Sequence, residues 1–178
     1  MKFNPDIKHR RSIRLKDYDY SSAGIYFITL CTQNNEPFFG HIANGQMNLN
    51  PAGQMIEKWF NKLSKKFPDI QIDQWVCMPD HVHFILIKDP FTPSGAHMNS
   101  GAHTGAPLHI IIQWFKTMTT NDYINSVTDS QWTPFKVRLW QRNYYEHIIR
   151  DNEELEQGRT YIKYNPKNWE TENEFKGI

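Results

Sequence analysis

Residues 81 to 83, His-Val-His, set two imidazoles on either side of one apolar residue at the head of the run Phe84-Ile85-Leu86-Ile87. In a strand, residues i and i+2 face the same way, so His81 and His83 present side by side from one sheet face. That is half of a metal site. Taken alone, the pair reads first as a buried strand with two satisfied histidines. Cys77 shares their odd parity and raises a zinc set, but Pro79-Asp80 interrupts the strand between them and disfavours one common face. About 80 positions downstream, Tyr161 and Asn165 lie one helical turn apart, near the end of a segment with helical character. Asn165 offers a carbonyl oxygen as a hard ligand, or simply a helix C-cap; Tyr161 is an outward phenol or a half-buried aromatic.

The elements that must carry these residues follow from pattern. Gly24 to Thr32 is rich in β-branched and aromatic residues, the composition of a buried strand. Phe38 to Ile42 reads as a short edge strand, with Asn44-Gly45 turning the chain into Met47 to Leu49. Asn50 caps a helix that opens on Pro51 and carries Met55, Ile56, Trp59, Phe60 and Leu63 at helical spacing. After Phe67-Pro68-Asp69, Ile70 to Met78 and His81 to Ile87 are two strands joined at Pro79-Asp80. In the second of them Val82, Phe84 and Leu86 face one side, and His81, His83, Ile85 and Ile87 the other. Both faces are apolar enough for a central, covered strand.

Residues 89 to 107 read as a flexible loop in which Ser94-Gly95-Ala96-His97 recurs as Ser100-Gly101-Ala102-His103. Leu108, Ile111, Phe115 and Met118 form the stripe of a second packing helix, with Lys116 on its polar flank. Phe135 to Trp140 is expected as the fourth strand. Asp151 and Glu154 have capping-box spacing before a final helix that runs to Asn165-Pro166, with Leu155 and Ile162 on its apolar seam and Tyr161 turned away from it. Strand, helix, strand, strand, helix, strand is the order of a ferredoxin-like split βαβ unit. The expected fold is therefore α+β, an antiparallel sheet with helices on one face and a tyrosine-bearing C-terminal helix.

Bulk properties set limits. A chain of 178 residues is most simply one domain, with a basic arm over residues 1 to 20. Two cysteines make no disulfide framework, and neither an apolar leader nor a run of about 18 apolar residues is present, so a soluble, cytoplasmic protein without membrane contact is expected. Net charge is +1, which does not announce a nucleic-acid binder, yet Lys8, Arg10, Arg11, Arg14 and Lys16 cluster with no acid among them. That arm is either a solvated surface or a phosphate contact. Aromatic content of 14% supplies core volume and also stacking surfaces for unpaired bases.

Met78-Pro79-Asp80-His81-Val82-His83, then Trp140-Gln141-Arg142, His147-Ile148-Ile149-Arg150-Asp151 and Tyr161-Ile162-Lys163-Tyr164-Asn165-Pro166, resemble in order the motifs of the single-tyrosine HUH transposases. The REP-associated tyrosine transposases, relatives of the insertion-sequence-200-like enzymes, are the most similar branch. The resemblance implies a nuclease and strand transferase acting on single-stranded or hairpin DNA through a 5′-phosphotyrosine. On it Tyr161 is the nucleophile, and His81, His83 and Asn165 hold Mg²⁺ or Mn²⁺, with Asn165 standing where relatives use glutamine. Arg10, Arg11, Arg14, Lys116, Arg142 and Tyr145 are the implied DNA contacts, and relatives act as dimers in trans or monomers in cis. A protein that binds structured DNA or RNA without cutting it remains the alternative, beside the zinc protein.

Overall fold

The computed structural model describes residues 20, 22–89, 105–130 and 132–175. The basic arm with Arg10, Arg11 and Arg14, and most of the expected 89–107 loop, lie outside them. Strand β1 (Gly24–Cys31) is followed by a single 3₁₀ turn and a hairpin of β2 (Gly40–Ala43) and β3 (Gln46–Leu49). Helix α1 (Pro51–Lys66) leads into β4 (Ile70–Cys77) and β5 (His81–Lys88), then α2 (Leu108–Ser130), β6 (Tyr145–Ile149) and α3 (Asn152–Phe175). Antiparallel pairing gives the sheet order β4-β5-β1-β6, with the β2-β3 hairpin as a separate two-stranded sheet. This is the expected split-unit order with a hairpin inserted after its first strand.

Local chemistry explains several boundaries. Asn44 and Gly45 both take positive φ (54° and 68°), the backbone that a two-residue hairpin turn requires. The Asn50 side chain accepts from the Gly53 N–H at 3.0 Å and caps α1. Gly53 itself is required by proximity: a Cβ there would fall 2.4 Å from the Phe39 carbonyl oxygen.

The sheet has two covered faces. Tyr26, Ile28 and Leu30 of β1 and Val82, Phe84 and Leu86 of β5 join Ile56, Phe60 and Leu63 of α1 and Ile111 and Phe115 of α2 in the main core. On the opposite face Ile85 and Ile149 meet Leu155 and Ile162 of α3. Period-2 alternation therefore assigns His81 and His83 to the α3 side. Cys77 is buried in the main core, away from the histidines, which removes it from any zinc set with them.

The fourth strand lies elsewhere than the sequence pattern suggests. Residues 135 to 140 form no ladder beyond one isolated bridge, Trp140 to Thr32. Leu139 and Trp140 are instead buried, with the Trp140 indole N–H donating to Thr119 Oγ1 at 2.9 Å. The edge of β1 from Ile25 to Thr29 pairs with Ile149 to Tyr145. Helix α2 also runs past Ile124 to Ser130.

At the far end of the sheet, the buried Lys88 ammonium stands 2.6 Å from Asp69 Oδ2, which also accepts the Gly105 N–H at 3.0 Å. Removing one member of a buried ion pair strands the other charge. Asp69→Ala is therefore expected to lower unfolding free energy by about 3–5 kcal/mol, read as a lower urea midpoint at unchanged slope.

Candidate functional site

His81 opens β5 and His83 follows two residues later, their ring centroids 4.5 Å apart. Each ring is held through Nδ1. His81 Nδ1 lies 2.6 Å from Asp80 Oδ1, and His83 Nδ1 lies 2.8 Å from Thr29 Oγ1, across the Thr29–His83 register pair. With both Nδ1 atoms engaged, Nε2 is the nitrogen left for a ligand, the arrangement common to metal-binding histidines. Burial, and then the neighbouring His81, push the His83 imidazole down to about 3, so it is neutral with a lone pair to offer at physiological pH. Asp80 and Thr29 were not legible as orienting groups in the sequence. Thr29 could have been found by aligning the alternation of β1 with that of β5.

Helix α3 brings the tyrosine to this pair within one chain. The Tyr161 ring packs edge-on to His83, with centroids 5.2 Å apart, and to Phe27 at 5.8 Å, while 48% of Tyr161 stays exposed. Arg159 fixes the helix by forking onto Asp73 of β4, with Nε–Oδ2 2.8 Å and Nη2–Oδ1 2.7 Å.

The helix does not stop at Asn165. It continues through Pro166 to Phe175, although proline supplies no N–H and crowds the preceding turn. The extension carries Trp169 to His81, with ring centroids 5.3 Å apart. Tyr161, Asn165 and Trp169 are spaced at one turn, so Asn165 falls between the residue that meets His83 and the one that meets His81. Asn165 is buried, and its Oδ1 has no hydrogen-bond partner. It is a mid-helix residue with an orphaned acceptor, not a C-cap.

Among the described residues no three His, Cys, Asp or Glu side chains gather as a metal-binding group, so a third donor must be of another kind. Two imidazoles and an orphaned amide oxygen fit a divalent ion of the Mn²⁺ type well and Mg²⁺ acceptably, since the latter prefers oxygen.

The remaining expected DNA contacts separate. Lys116 is half-buried, and its ammonium donates to the carbonyls of Gln141 (2.9 Å) and Asn143 (3.1 Å), while burial lowers it to about 8. It shapes the 141–143 loop and is not a free phosphate contact. Arg142 beside it is exposed, in a groove also lined by His109, Arg138 and Gln141. Tyr145 is 56% exposed and lines a different cavity, that of His83 and Tyr161. His147, on the same strand, lines this cavity too, with Nε2 3.3 Å from Glu154 Oε2.

No family model matches the chain. It is 38% identical over 178 residues to an uncharacterized protein of Haemophilus influenzae, across 95% of this chain and 94% of that one. A second Haemophilus influenzae protein, provisionally named a REP-associated tyrosine transposase, is 23% identical over 152 residues, 83% of this chain and 73% of its own. Among solved structures, a REP-associated tyrosine transposase bound to a REP hairpin shares the fold at a TM-score of 0.57 and 19% identity, over 87% of this chain and 73% of that chain. No helix among the described residues is long and apolar enough to cross a membrane.

Proposed function

We propose that this chain, which belongs to one family with the uncharacterized Haemophilus influenzae protein and resembles the REP-associated tyrosine transposases, nicks and rejoins single-stranded DNA beside a hairpin. The observation that carries the reading is the packing of Tyr161 against His83 in the same chain, beside an oriented histidine pair. It favours action in cis by a monomer. In cleavage the Tyr161 oxygen loses its proton and bonds to phosphorus as the bond from phosphorus to the 3′-oxygen breaks. That oxygen takes up a proton and departs as a hydroxyl, and rejoining is the reverse. The phosphotyrosine ester conserves the bond, so strands can be resealed rather than only degraded.

The chain's own groups set this up. Asp80 and Thr29 fix the two imidazoles, Phe27 supports the phenol ring, and the Arg159–Asp73 fork holds α3 against the sheet. His81, His83 and Asn165 would hold Mg²⁺ or Mn²⁺, which when bound polarises a non-bridging phosphate oxygen and stabilises developing charge.

Incubation with a labelled DNA hairpin library carrying randomised single-stranded flanks and Mn²⁺ is expected to give a covalent adduct that survives denaturing electrophoresis and is absent with chelator. Equal binding with and without chelator, and no adduct under any divalent metal, would favour the non-cleaving nucleic-acid binder instead.

A further inference from the structure

On the side of Tyr161 away from His81 and Asn165, β1, β6 and α3 enclose a cavity of about 830 Å³ that the nicking chemistry leaves unused. Its floor is apolar, formed by Phe27 and Ile149. Gly158 keeps α3 close to that floor, for a Cβ there would stand 3.4 Å from Phe27 Cδ2 and 3.3 Å from Ile85 Cδ1. One wall is aromatic. Tyr145, largely exposed on edge strand β6, precedes His147 by two residues, so the two rings face the same way. An exposed tyrosine over an apolar floor is a stacking platform for a base that has left its helix.

The polar rim has a bias. Glu154 Oε2 already accepts from the Arg150 N–H at 2.9 Å and meets His147 Nε2. Glu154 Oε1 carries no hydrogen bond among the described residues. Gln157 donates its amide to Glu153 Oε1 at 3.3 Å, which leaves its carbonyl oxygen as the unused end. Both open positions are acceptors. A buried acceptor facing a group that cannot donate is penalised, so such a rim selects by what the base offers.

We infer that this cavity receives the base of one unpaired nucleotide adjoining the scissile phosphate, and selects bases bearing an exocyclic amino group over thymine. The inference rests on the nicking reading and adds to it a specificity pocket, with Tyr145 as the stacking residue and Glu154 and Gln157 as the acceptors. Adenine, cytosine and guanine each carry an amino group to donate; thymine presents carbonyl oxygens at the corresponding edges.

Sequencing the strands captured as adducts from the randomised-flank library tests it. The expected result is depletion of thymine at one of the two positions bordering the cut, by about fivefold, and an abasic nucleotide at that position slowing adduct formation at least about tenfold. Gln157→Leu should flatten the preference at that position alone. Tyr145→Ala should slow the natural substrate while leaving the abasic one unchanged. Both side chains are exposed, so neither change threatens the fold. Adducts that form equally fast with thymine or an abasic site at both positions overturn the pocket and leave the nicking reading standing. A preference untouched by both substitutions overturns the pocket in the same way. No adduct from any library member overturns both.

Discussion

Tyr161→Phe is expected to abolish adduct formation while leaving fold and DNA binding intact. The substitution removes one oxygen atom from a side chain that is 48% exposed. The ring contacts with His83 and Phe27 belong to the phenyl group and persist, so thermal stability should change by no more than about 0.5 kcal/mol, the range of ordinary surface substitutions. Deleting the nucleophile itself removes the covalent route, and the adduct rate should fall by at least about a thousandfold. Denaturing electrophoresis of the labelled library with wild-type and variant protein reads this directly. An adduct that survives in the variant would move the nucleophile to another tyrosine, and Tyr145, exposed in the same cavity, is the first to examine.

His83→Ala should be nearly as severe, for a different reason. The imidazole, held neutral by burial and by His81, would lose its place as a ligand, and Thr29 Oγ1 would lose its 2.8 Å partner. An orphaned hydroxyl costs about 1–3 kcal/mol, so part of any effect is structural. His81→Ala separates the two contributions. Its partner Asp80 lies at the start of the strand and retains some access to solvent, so the fold should suffer less. Both variants are expected to lose at least about tenfold in Mn²⁺ affinity, measured by titration calorimetry, and to form no detectable adduct. Unaltered Mn²⁺ binding in His81→Ala, or full adduct formation in a chelated wild-type sample, would remove the metal from this site.

Much of this molecule is legible from short-range chemistry. Asn50-Pro51 marks the start of α1 because a side-chain oxygen and a ring without an N–H satisfy the first helical turn whatever lies beyond it. Asn44-Gly45 marks the hairpin turn because few residues tolerate positive φ. Alternation in β5 puts His81 and His83 on one face, and helical spacing puts Tyr161 and Asn165 one turn apart. These are properties of the backbone, and the sequence by itself determines them.

What only the tertiary structure decided concerns meetings between elements. Residues 135 to 140 have strand composition, but β1 offers one free edge, and Tyr145–Ile149 occupies it while Leu139 and Trp140 fill the main core. Helix α3 runs through Pro166 because packing of Trp169 on His81 and of Lys167 near Gly45 outweighs a local preference to stop. Thr29 and Asp80 orient the histidines, and Lys116 turns inward to the 141–143 carbonyls, through contacts that composition and period do not encode. A period of 2 or 3.6 fixes which residues share a face. Which faces then meet, and so whether a histidine pair and a tyrosine become one site, depends on burial summed over the whole sheet and its helices.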